Sequence, residues 1–353
     1  MKKYILIFIA MAMTVLPSCG KENPTTLTPV EFVKLIETQK EIVLLDVRTP
    51  EEFKDSHLPG AMNIDFNADG FVEKVKAAIP MEKTIAAYCR SGRRSAEASA
   101  LLRKEGYKVE DLEGGILNWQ KDELTVTDDM WDLYTTPGGK TVKILPLIHA
   151  SLRIVFDGKE IEIDPVGSLG DRHTDYAAFP KADLIMVTHE HHDHLDPSAI
   201  QTLTGPDTKL IVNPAVRDIL GEGTAMKNGD KLTLAGGIEI EAVPAYNTSA
   251  DKLQFHPKGR DNGYVLTLDG LRLYIAGDTE NIPEMSNLKE IDIAFLPCNL
   301  PYTMTPAQLI EAAESFGPKV VYPYHYGTTD LSSITPALGA DGIYVRICPF
   351  DPE

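Results

Sequence analysis

A cluster of histidines directly behind an apolar segment constrains the fold of this chain more than any other feature. Residues 182–187 (ADLIMV) have the continuous apolar character of a buried parallel strand, and the sequence THEHHDHLD follows at once. Imidazole nitrogens suit zinc and similar ions, and carboxylate oxygens complete the coordination sphere. In an extended loop alternate residues point the same way, so His189 and His191 can share one metal ion. Asp193 and His194 lie past the turn and can face a second ion.

Two further strands end in residues that bind metals. Residues 271–277 (LRLYIAG) predict a strand that ends at Asp278, and residues 319–324 (KVVYPY) predict one that ends at His325. The carboxyl ends of such strands are where the sites of α/β proteins usually form. This repeated placement favours a built metal site over the alternative, a histidine-rich surface loop that binds metal adventitiously.

The set of motifs resembles the metallo-β-lactamase superfamily over residues 141–353. The signature H-x-H-x-D-H and the two later positions match this sequence at His189, His191, Asp193, His194, Asp278 and His325. The resemblance implies a four-layer α/β/β/α fold, with one metal on His189 and His191 and a second on Asp193, His194 and His325. Asp278 would bridge the two ions.

The resemblance also implies a cofactor and a reaction. One or two divalent ions are expected, zinc before manganese or iron, and bound water would reach a pKa of about 7. The resulting hydroxide would attack an ester, lactone or phosphodiester-type bond of a small-molecule substrate. Asp193 is predicted to take part in catalysis. Tyr302 and His149 are candidates to assist it.

One expected ligand is absent. The superfamily usually places another histidine after the second run of strands, where this chain has residues 243–247 (VPAYN). His256, Asn247 or water could replace it, and His256 could instead contact substrate. His149 is either a structural histidine or a catalytic residue that stabilises developing charge or donates a proton. Residues 147–151 (LIHAS) resemble the branch that includes L-ascorbate-6-phosphate lactonase, which favours the catalytic role.

Turn signals organise this second domain. Asp157-Gly158 and Asp269-Gly270 each separate two β-rich segments, as in tight hairpins. We infer two related halves whose sheets pack face to face. Asp196-Pro197 and Thr305-Pro306 have the form of helix starts.

The first folded segment, residues 28–122, alternates strand and helix signals around a cysteine. Residues 41–47 and 84–88 predict buried parallel strands, and Thr49 predicts the cap of a helix. Cys89 stands between the second strand and the next helix. A helix amino end and neighbouring arginines favour its thiolate and form an anion-binding loop, which comprises Arg90, Ser91, Gly92, Arg93, Arg94 and Ser95. The alternative is a small buried cysteine beside a solvated basic run.

This segment resembles the rhodanese family. The matching motifs are LLDVR (44–48), HLPGA (57–61), CRSGRRS (89–95) and LEGGILNW (112–119). The resemblance implies a small parallel-sheet α/β domain, a small sulfur-containing anion as ligand and sulfur transfer through a Cys89 persulfide. Related Cdc25-type phosphatases have a loop one residue longer, so sulfur is favoured over phosphate.

The amino terminus predicts export. Lys2 and Lys3 precede an apolar run, residues 4–16, which is shorter than the roughly 20 residues of a membrane-spanning helix. The sequence LPSC resembles a bacterial lipobox with Cys19 lipidated; a cleaved signal or an uncleaved anchor is the alternative. We expect a signal peptide (1–19), a tether (20–27), a linker (123–140) and a lipid anchor in the periplasmic or outer-membrane cell envelope.

The net charge of the chain limits the functions that it can have. The net charge of -18 disfavours nucleic acid as a partner. The leading prediction is a metal-dependent hydrolase joined to a sulfurtransferase-like domain. Its alternatives are an iron-dependent persulfide dioxygenase, which combines the same two families in the opposite order, and a non-catalytic sulfur- or redox-binding module.

Overall fold

The computed structural model describes residues 26–39, 41–128, 130–348 and 350. The predicted signal peptide and Cys19 lie outside these residues, so the lipid anchor stays a prediction. No helix in the described ranges has the length and apolar character needed to cross a membrane. Thr26 and Leu27, expected at the end of a tether, instead form an edge strand of the first sheet.

The amino-terminal domain is a five-stranded parallel sheet in the order β1-β5-β4-β2-β3. The helix α2 starts as expected, because Thr49 and Glu52 form a reciprocal capping box. The strands are β1 (Thr26–Leu27), β2 (Ile42–Asp46), β3 (Met62–Asn63), β4 (Thr84–Tyr88) and β5 (Lys108–Leu112), and the helices are α1 (Pro29–Thr38), α2 (Pro50–Asp55), α3 (Phe71–Ala78), α4 (Arg93–Lys104) and α5 (Gly115–Lys121).

The second domain opens with an eight-stranded sheet in the order β15-β14-β13-β10-β9-β8-β7-β6. Two helices cover its outer face, α6 (Pro197–Leu203) and α7 (Pro214–Leu220). Its strands are β6 (Val126–Thr127), β7 (Asp132–Thr135), β8 (Thr141–Pro146), β9 (Leu152–Phe156), β10 (Lys159–Ile163), β13 (Leu184–Met186), β14 (Lys209–Val212) and β15 (Thr224–Ala225). A short hairpin, β11 (Ser168–Leu169) and β12 (Arg172–His173), stands apart from it.

A seven-stranded sheet runs in sequence order from β16 to β22. The helices α8 (Pro306–Phe316) and α9 (Ile334–Ala340) belong to this half. Its strands are β16 (Lys231–Leu234), β17 (Ile238–Ala245), β18 (Asp261–Leu268), β19 (Leu271–Ile275), β20 (Ile293–Pro297), β21 (Val320–Tyr324) and β22 (Tyr344–Val345). Short 3₁₀ helices cover Tyr176–Ala178 and Pro283–Asn287.

The two sheets share one apolar core, which contains Ile154 of one and Leu266 of the other. The predicted face-to-face packing and the four-layer α/β/β/α fold are therefore confirmed. Both predicted hairpins form, and their Asp-Gly turns lie in the left-handed region at Asp157 (φ 51) and Asp269 (φ 49). Positive φ at both central residues is the geometry that suits the right-handed twist of the paired strands.

The predicted linker, residues 123–140, is wrong. This stretch forms β6 and β7, which complete the eight-stranded sheet, and Tyr134 is almost fully buried. Its acidic and Thr-rich composition indicated a loop, but alternate residues of β7 point into the core. The chain therefore passes from the first domain into the sheet of the second without a flexible spacer.

The domains also pack against each other. Trp119 of α5 is fully buried and meets the ring of Tyr344 edge-on at 5.5 Å. Its indole N–H donates to the carbonyl oxygen of Thr125 at 2.8 Å. Helix α1 lies directly along α9, where a methyl group on Gly339 would overlap the side chain of Glu37. One core cluster spans both domains as a result.

Candidate metal centre

The histidine segment begins where β13 ends and is anchored by a carboxylate below it. Asp164, at the end of β10, accepts from the backbone N–H and the hydroxyl of Thr188, both at 2.7 Å. It also contacts Nδ1 of His194 at 2.8 Å, so Nε2 of that ring is turned away from the carboxylate. His194 N–H donates to the carbonyl of His191 and closes the turn. Asp164 thus fixes the orientation of the His194 ring, as the outer partners of metal-binding histidines commonly do.

Four donors form the first cluster: His189, His191, His256 and Asp278, whose ligand atoms all lie within 4.8 Å of one another. Nε2 of His189 lies 3.2 Å from Nδ1 of His191. His256 is the third histidine of this cluster, and residues 243–247 contribute none. Its Nδ1 contacts Asp261 at 3.0 Å, which leaves Nε2 for the cluster.

The second cluster comprises His149, Asp193, His194 and His325, again within 4.8 Å. His149 therefore joins the ligand candidates, a role that the sequence did not indicate. Its Nε2 lies 3.2 Å from Oδ2 of Asp193. His149 (φ 60) and His325 (φ 48) both have left-handed backbones, and His325 N–H donates to the carbonyl of His149. Such conformations cost energy in non-glycine residues and are concentrated at functional sites.

Asp278 connects the clusters. Its Oδ2 lies 3.3 Å from Nε2 of His256 and 3.3 Å from Nε2 of His325. Its Oδ1 lies 3.3 Å from Nε2 of His194. The carboxylate thus faces histidines of both groups, as the resemblance implied for a bridging ligand.

The donor atoms fit metal ions better than a hydrogen-bonded network. Nε2 of His194, Nε2 of His325 and Oδ1 of Asp278 are buried and make no hydrogen bond. Leaving such atoms unsatisfied costs about 1–3 kcal/mol each. Two ligands on a tetrahedral ion with bonds of about 2.0–2.1 Å stand roughly 3.3–3.4 Å apart. The spacings around Asp278 match that edge length.

Without a metal ion the buried groups share out protons and charges: against the effect of burial, Asp278 raises the pKa of His325 to about 9 and that of His194 well above its ordinary value. Burial lowers the pKa of His189 well below its ordinary value, so its imidazole is neutral and free to bind a metal. Burial alone would raise the pKa of Asp278, but the charges of His325 and His194 hold it well below the usual range. Zinc binds ionised carboxylates and neutral imidazoles, so a zinc ion would find Asp278 and His189 ready and would displace the protons of His194 and His325.

The remaining predicted site residues lie beside the clusters. Asn247 is buried and its side-chain N–H₂ donates to the carbonyls of Lys252 and Tyr302, while its Oδ1, the atom that would bind a metal ion, makes no hydrogen bond. Tyr302 is 43% exposed and meets Phe255 edge-on at 5.1 Å.

The clusters open into a cavity of about 320 Å³. Asn299, which the sequence did not single out, contributes to its wall, and only its position after β20 hinted at a role. The lining residues are His191, His192, Asp193, Phe255, His256, Asp278, Asn299, Tyr302 and His325.

The cysteine loop lies in the other domain. Cys89 follows β4 and is 1% exposed, and its carbonyl accepts from Ile116 N–H at 2.8 Å. Gly92 (φ 86) caps α4 without a side-chain hydrogen bond, so N–H groups at the start of α4 remain directed toward the loop. Ser95 is buried and donates to the carbonyl of Gly92.

The three arginines of the loop differ. Arg94 makes two 2.7 Å contacts with Glu52, and these contacts, together with the nearby Cys89, raise its pKa. Arg93 is exposed and pairs with Glu97 at 3.7 Å, while Arg90 and Ser91 are also exposed. Arg94 is therefore held by Glu52 and responds to the charge of the nearby Cys89.

Comparison with known families assigns both domains. A model of the beta-lactamase superfamily domain matches residues 143–325, and one of the rhodanese-like domain matches residues 28–122. The chain belongs to the metallo-β-lactamase superfamily. Within it, the chain is a metal-dependent hydrolase that carries an amino-terminal rhodanese-like domain.

Relatives and solved structures resemble the second domain. A UPF0173 metal-dependent hydrolase of Thermococcus onnurineus (strain NA1) is 33% identical over 195 residues, which cover 53% of this chain and 85% of the relative. The structure of a protein described as a metal-dependent hydrolase from Parabacteroides distasonis is 52% identical, with a TM-score of 0.60, and covers 62% of this chain and 97% of its own. The structure of a metallo hydrolase from Ignicoccus hospitalis is 29% identical, with a TM-score of 0.51. The match covers 59% of this chain and 94% of the Ignicoccus chain.

Proposed function

We propose that the second domain hydrolyses a small, uncharged carboxylic ester or lactone with a pair of zinc ions. The observation that carries the proposal is Asp278, whose oxygens stand 3.3 Å from donors of both clusters at the floor of the cavity. Each cluster offers three imidazole nitrogens and one carboxylate, a donor set that suits zinc better than magnesium or calcium. Such ions polarise a carbonyl and lower the pKa of bound water to about 7.

The cavity wall supports the substrate class. The lining residues include neither lysine nor arginine, so the protein supplies no side-chain cation for a phosphate group. Phe255 and Tyr302 form an aromatic wall, against which an apolar part of the substrate can pack. The side chain of Asn299 offers a neutral amide for a carbonyl or hydroxyl oxygen. These features favour an ester or lactone over a phosphodiester.

Asp193 is the group best placed to accept a proton. Its Oδ2 belongs to the second cluster, and its side chain is 22% exposed, toward the cavity. His149 and His325 hold its pKa well below the ordinary value against the effect of burial, so it is ionised at neutral pH. A carboxylate in this position can take the proton of an attacking water molecule and return it to the leaving oxygen.

The test is a substrate panel with metal content measured on the same protein. Acyl esters, lactones and a bis-aryl phosphodiester are assayed on wild type and on Asp278→Ala, with His173→Ala, an exposed histidine outside both clusters, as the matched control. We expect ester or lactone turnover with about two zinc ions, lost in Asp278→Ala and retained in the control. Turnover of the phosphodiester alone, or iron with oxygen consumption on a persulfide, would overturn the proposal.

For the first domain we propose sulfur transfer through Cys89. The uncapped start of α4 and the charge of Arg94 support it, because both place positive potential next to Cys89, where an anion would bind. The thiolate would take the outer sulfur of thiosulfate and release sulfite, and the persulfide would then pass that sulfur to cyanide as thiocyanate. Thiocyanate production lost in Cys89→Ser and kept in Cys298→Ser, a buried cysteine elsewhere, is the expected result. Equal activity in both variants would refute the assignment.

A further inference from the structure

A second buried carboxylate lies two residues past the bridging aspartate. Glu280 is fully buried, and six donors surround it. Its Oε2 accepts from the N–H of Ser249 at 2.6 Å and from the N–H and hydroxyl of Thr248 at 2.8 and 3.1 Å. Its Oε1 accepts from the hydroxyl of Ser249 at 2.8 Å, Lys252 at 2.9 Å and Gln308 at 3.3 Å.

Most of these donors belong to one loop, residues 247–256, which also carries His256. Lys252 is itself buried and donates to the carbonyl of Thr303 at 2.7 Å. The backbone N–H of Asn247 donates to the carbonyl of His256 at 2.8 Å, which closes the loop on itself. Glu280 therefore fixes the start of the loop, and the loop delivers His256 to the first cluster.

The cost of this arrangement indicates that it has a purpose. A buried ion pair seldom stabilises a fold more than well-packed apolar residues of the same volume would. Here a carboxylate and a lysine are both buried, and five of the six donors to Glu280 come from one loop. The same loop carries His256, the histidine that the end of β17 and the two residues after it (243–247) do not supply.

We propose that Glu280 is a positioning residue that places His256 in the first metal cluster. The inference rests on the two-cluster centre proposed above. Asp278 and Glu280 then have different roles in one segment. Asp278 contacts both clusters directly, whereas Glu280 orders the loop that carries the third histidine of the first cluster. The role is specific to the first cluster, because the donors of the second come from other segments.

The test measures zinc affinity and stoichiometry, with no substrate needed. Glu280→Gln keeps the size of the side chain but removes its negative charge. It also replaces one accepting oxygen by an amide N–H₂, which cannot accept hydrogen bonds from the donors that face it. Glu314→Gln is the matched control, because Glu314 is an exposed residue of α8 that belongs neither to a cluster nor to the loop. We expect the first cluster of Glu280→Gln to bind zinc about 10–100-fold more weakly, the usual effect of losing an outer partner of a ligand.

Three further observations decide the outcome. The second cluster should keep its affinity in Glu280→Gln, and excess zinc should restore the second equivalent there but not in His256→Ala. If Glu280→Gln does not fold by circular dichroism, Ser249→Ala removes one of the six donors and should cause a smaller loss confined to the same cluster. Two zinc ions at unchanged affinity, or equal losses in both clusters, would overturn the role of Glu280. A wild type with a single zinc would overturn the two-cluster centre itself.

Discussion

Replacing Trp119 by alanine tests whether the two domains form one folding unit. Trp119 packs edge-on against Phe32 at 6.2 Å in its own domain and against Tyr344 at 5.5 Å in the other. Truncating a fully buried tryptophan costs about 3–5 kcal/mol. If the 353 residues unfold as one unit, their unfolding entropy is about 0.7 kcal/mol/K, at roughly 2.1 cal/mol/K per residue. The melting temperature should therefore fall by about 4–7 °C, on the same estimate.

Scanning calorimetry of the zinc-loaded chain measures the effect, and Trp119→Phe refines it. Phenylalanine keeps the aromatic packing but leaves the buried carbonyl of Thr125 without its N–H donor, at a cost of about 1–3 kcal/mol. One transition that shifts as a whole, in both variants, is the expected result. Two transitions, of which only the lower responds, would show that the domains unfold separately and would refute the reasoning.

Three other predictions concern single residues. Burial raises the pKa of Glu37 to about 8. The contribution of protonated Glu37 to the free energy of unfolding is therefore fully present below pH 4.5 and is lost as the pH rises through about 8. Glu37→Gln should raise the melting temperature at pH 9 and change it little at pH 4. Asp261→Asn weakens the contact that orients His256, and zinc titration should show a loss of about 10–100-fold in the first cluster. Gly115 has a left-handed backbone (φ 61), which costs about 1–2 kcal/mol in a residue with a side chain. In Gly115→Ala the added methyl group would also overlap the carbonyl oxygen of Cys89. Thiocyanate production should therefore fall, while the zinc content stays unchanged.

Much of the fold follows from local patterns. The strand at residues 84–88 has the bounds that the sequence predicts, and two helices start after Asp196 and Thr305 as predicted. Apolar runs, Asx or Thr caps and Asp-Gly turns act within a few residues, so they can be recognised without knowledge of tertiary contacts. The strands within residues 123–140 could not be predicted from local patterns. They are short, polar and rich in threonine, and such strands gain their stability from the sheet that they join.

The site divides in the same way. Residues 189–194 form a dense local pattern, and Asp278 and His325 stand at strand ends, so their chemistry was visible in the sequence. His149 and His256 were ambiguous because each is a single histidine in a loop, where a structural role is more common. Their assignment depends on which loops meet in space, and that information resides in long-range contacts such as His325 N–H to the carbonyl of His149.

The proposed replacement of a missing ligand by His256 accounts for the many polar contacts in this part of the site. A histidine on β17 would be held by the sheet itself, whereas His256 arrives from a loop that no ladder of backbone hydrogen bonds constrains. Ordering a loop residue costs about 1–2 kcal/mol of backbone entropy, which grows with the length of the loop. Glu280, Lys252 and Asp261 together supply hydrogen bonds to charged groups that can offset this cost. Moving the ligand from strand to loop therefore requires a buried polar framework, and Glu280→Gln and Asp261→Asn should weaken the same cluster because they remove two parts of that framework.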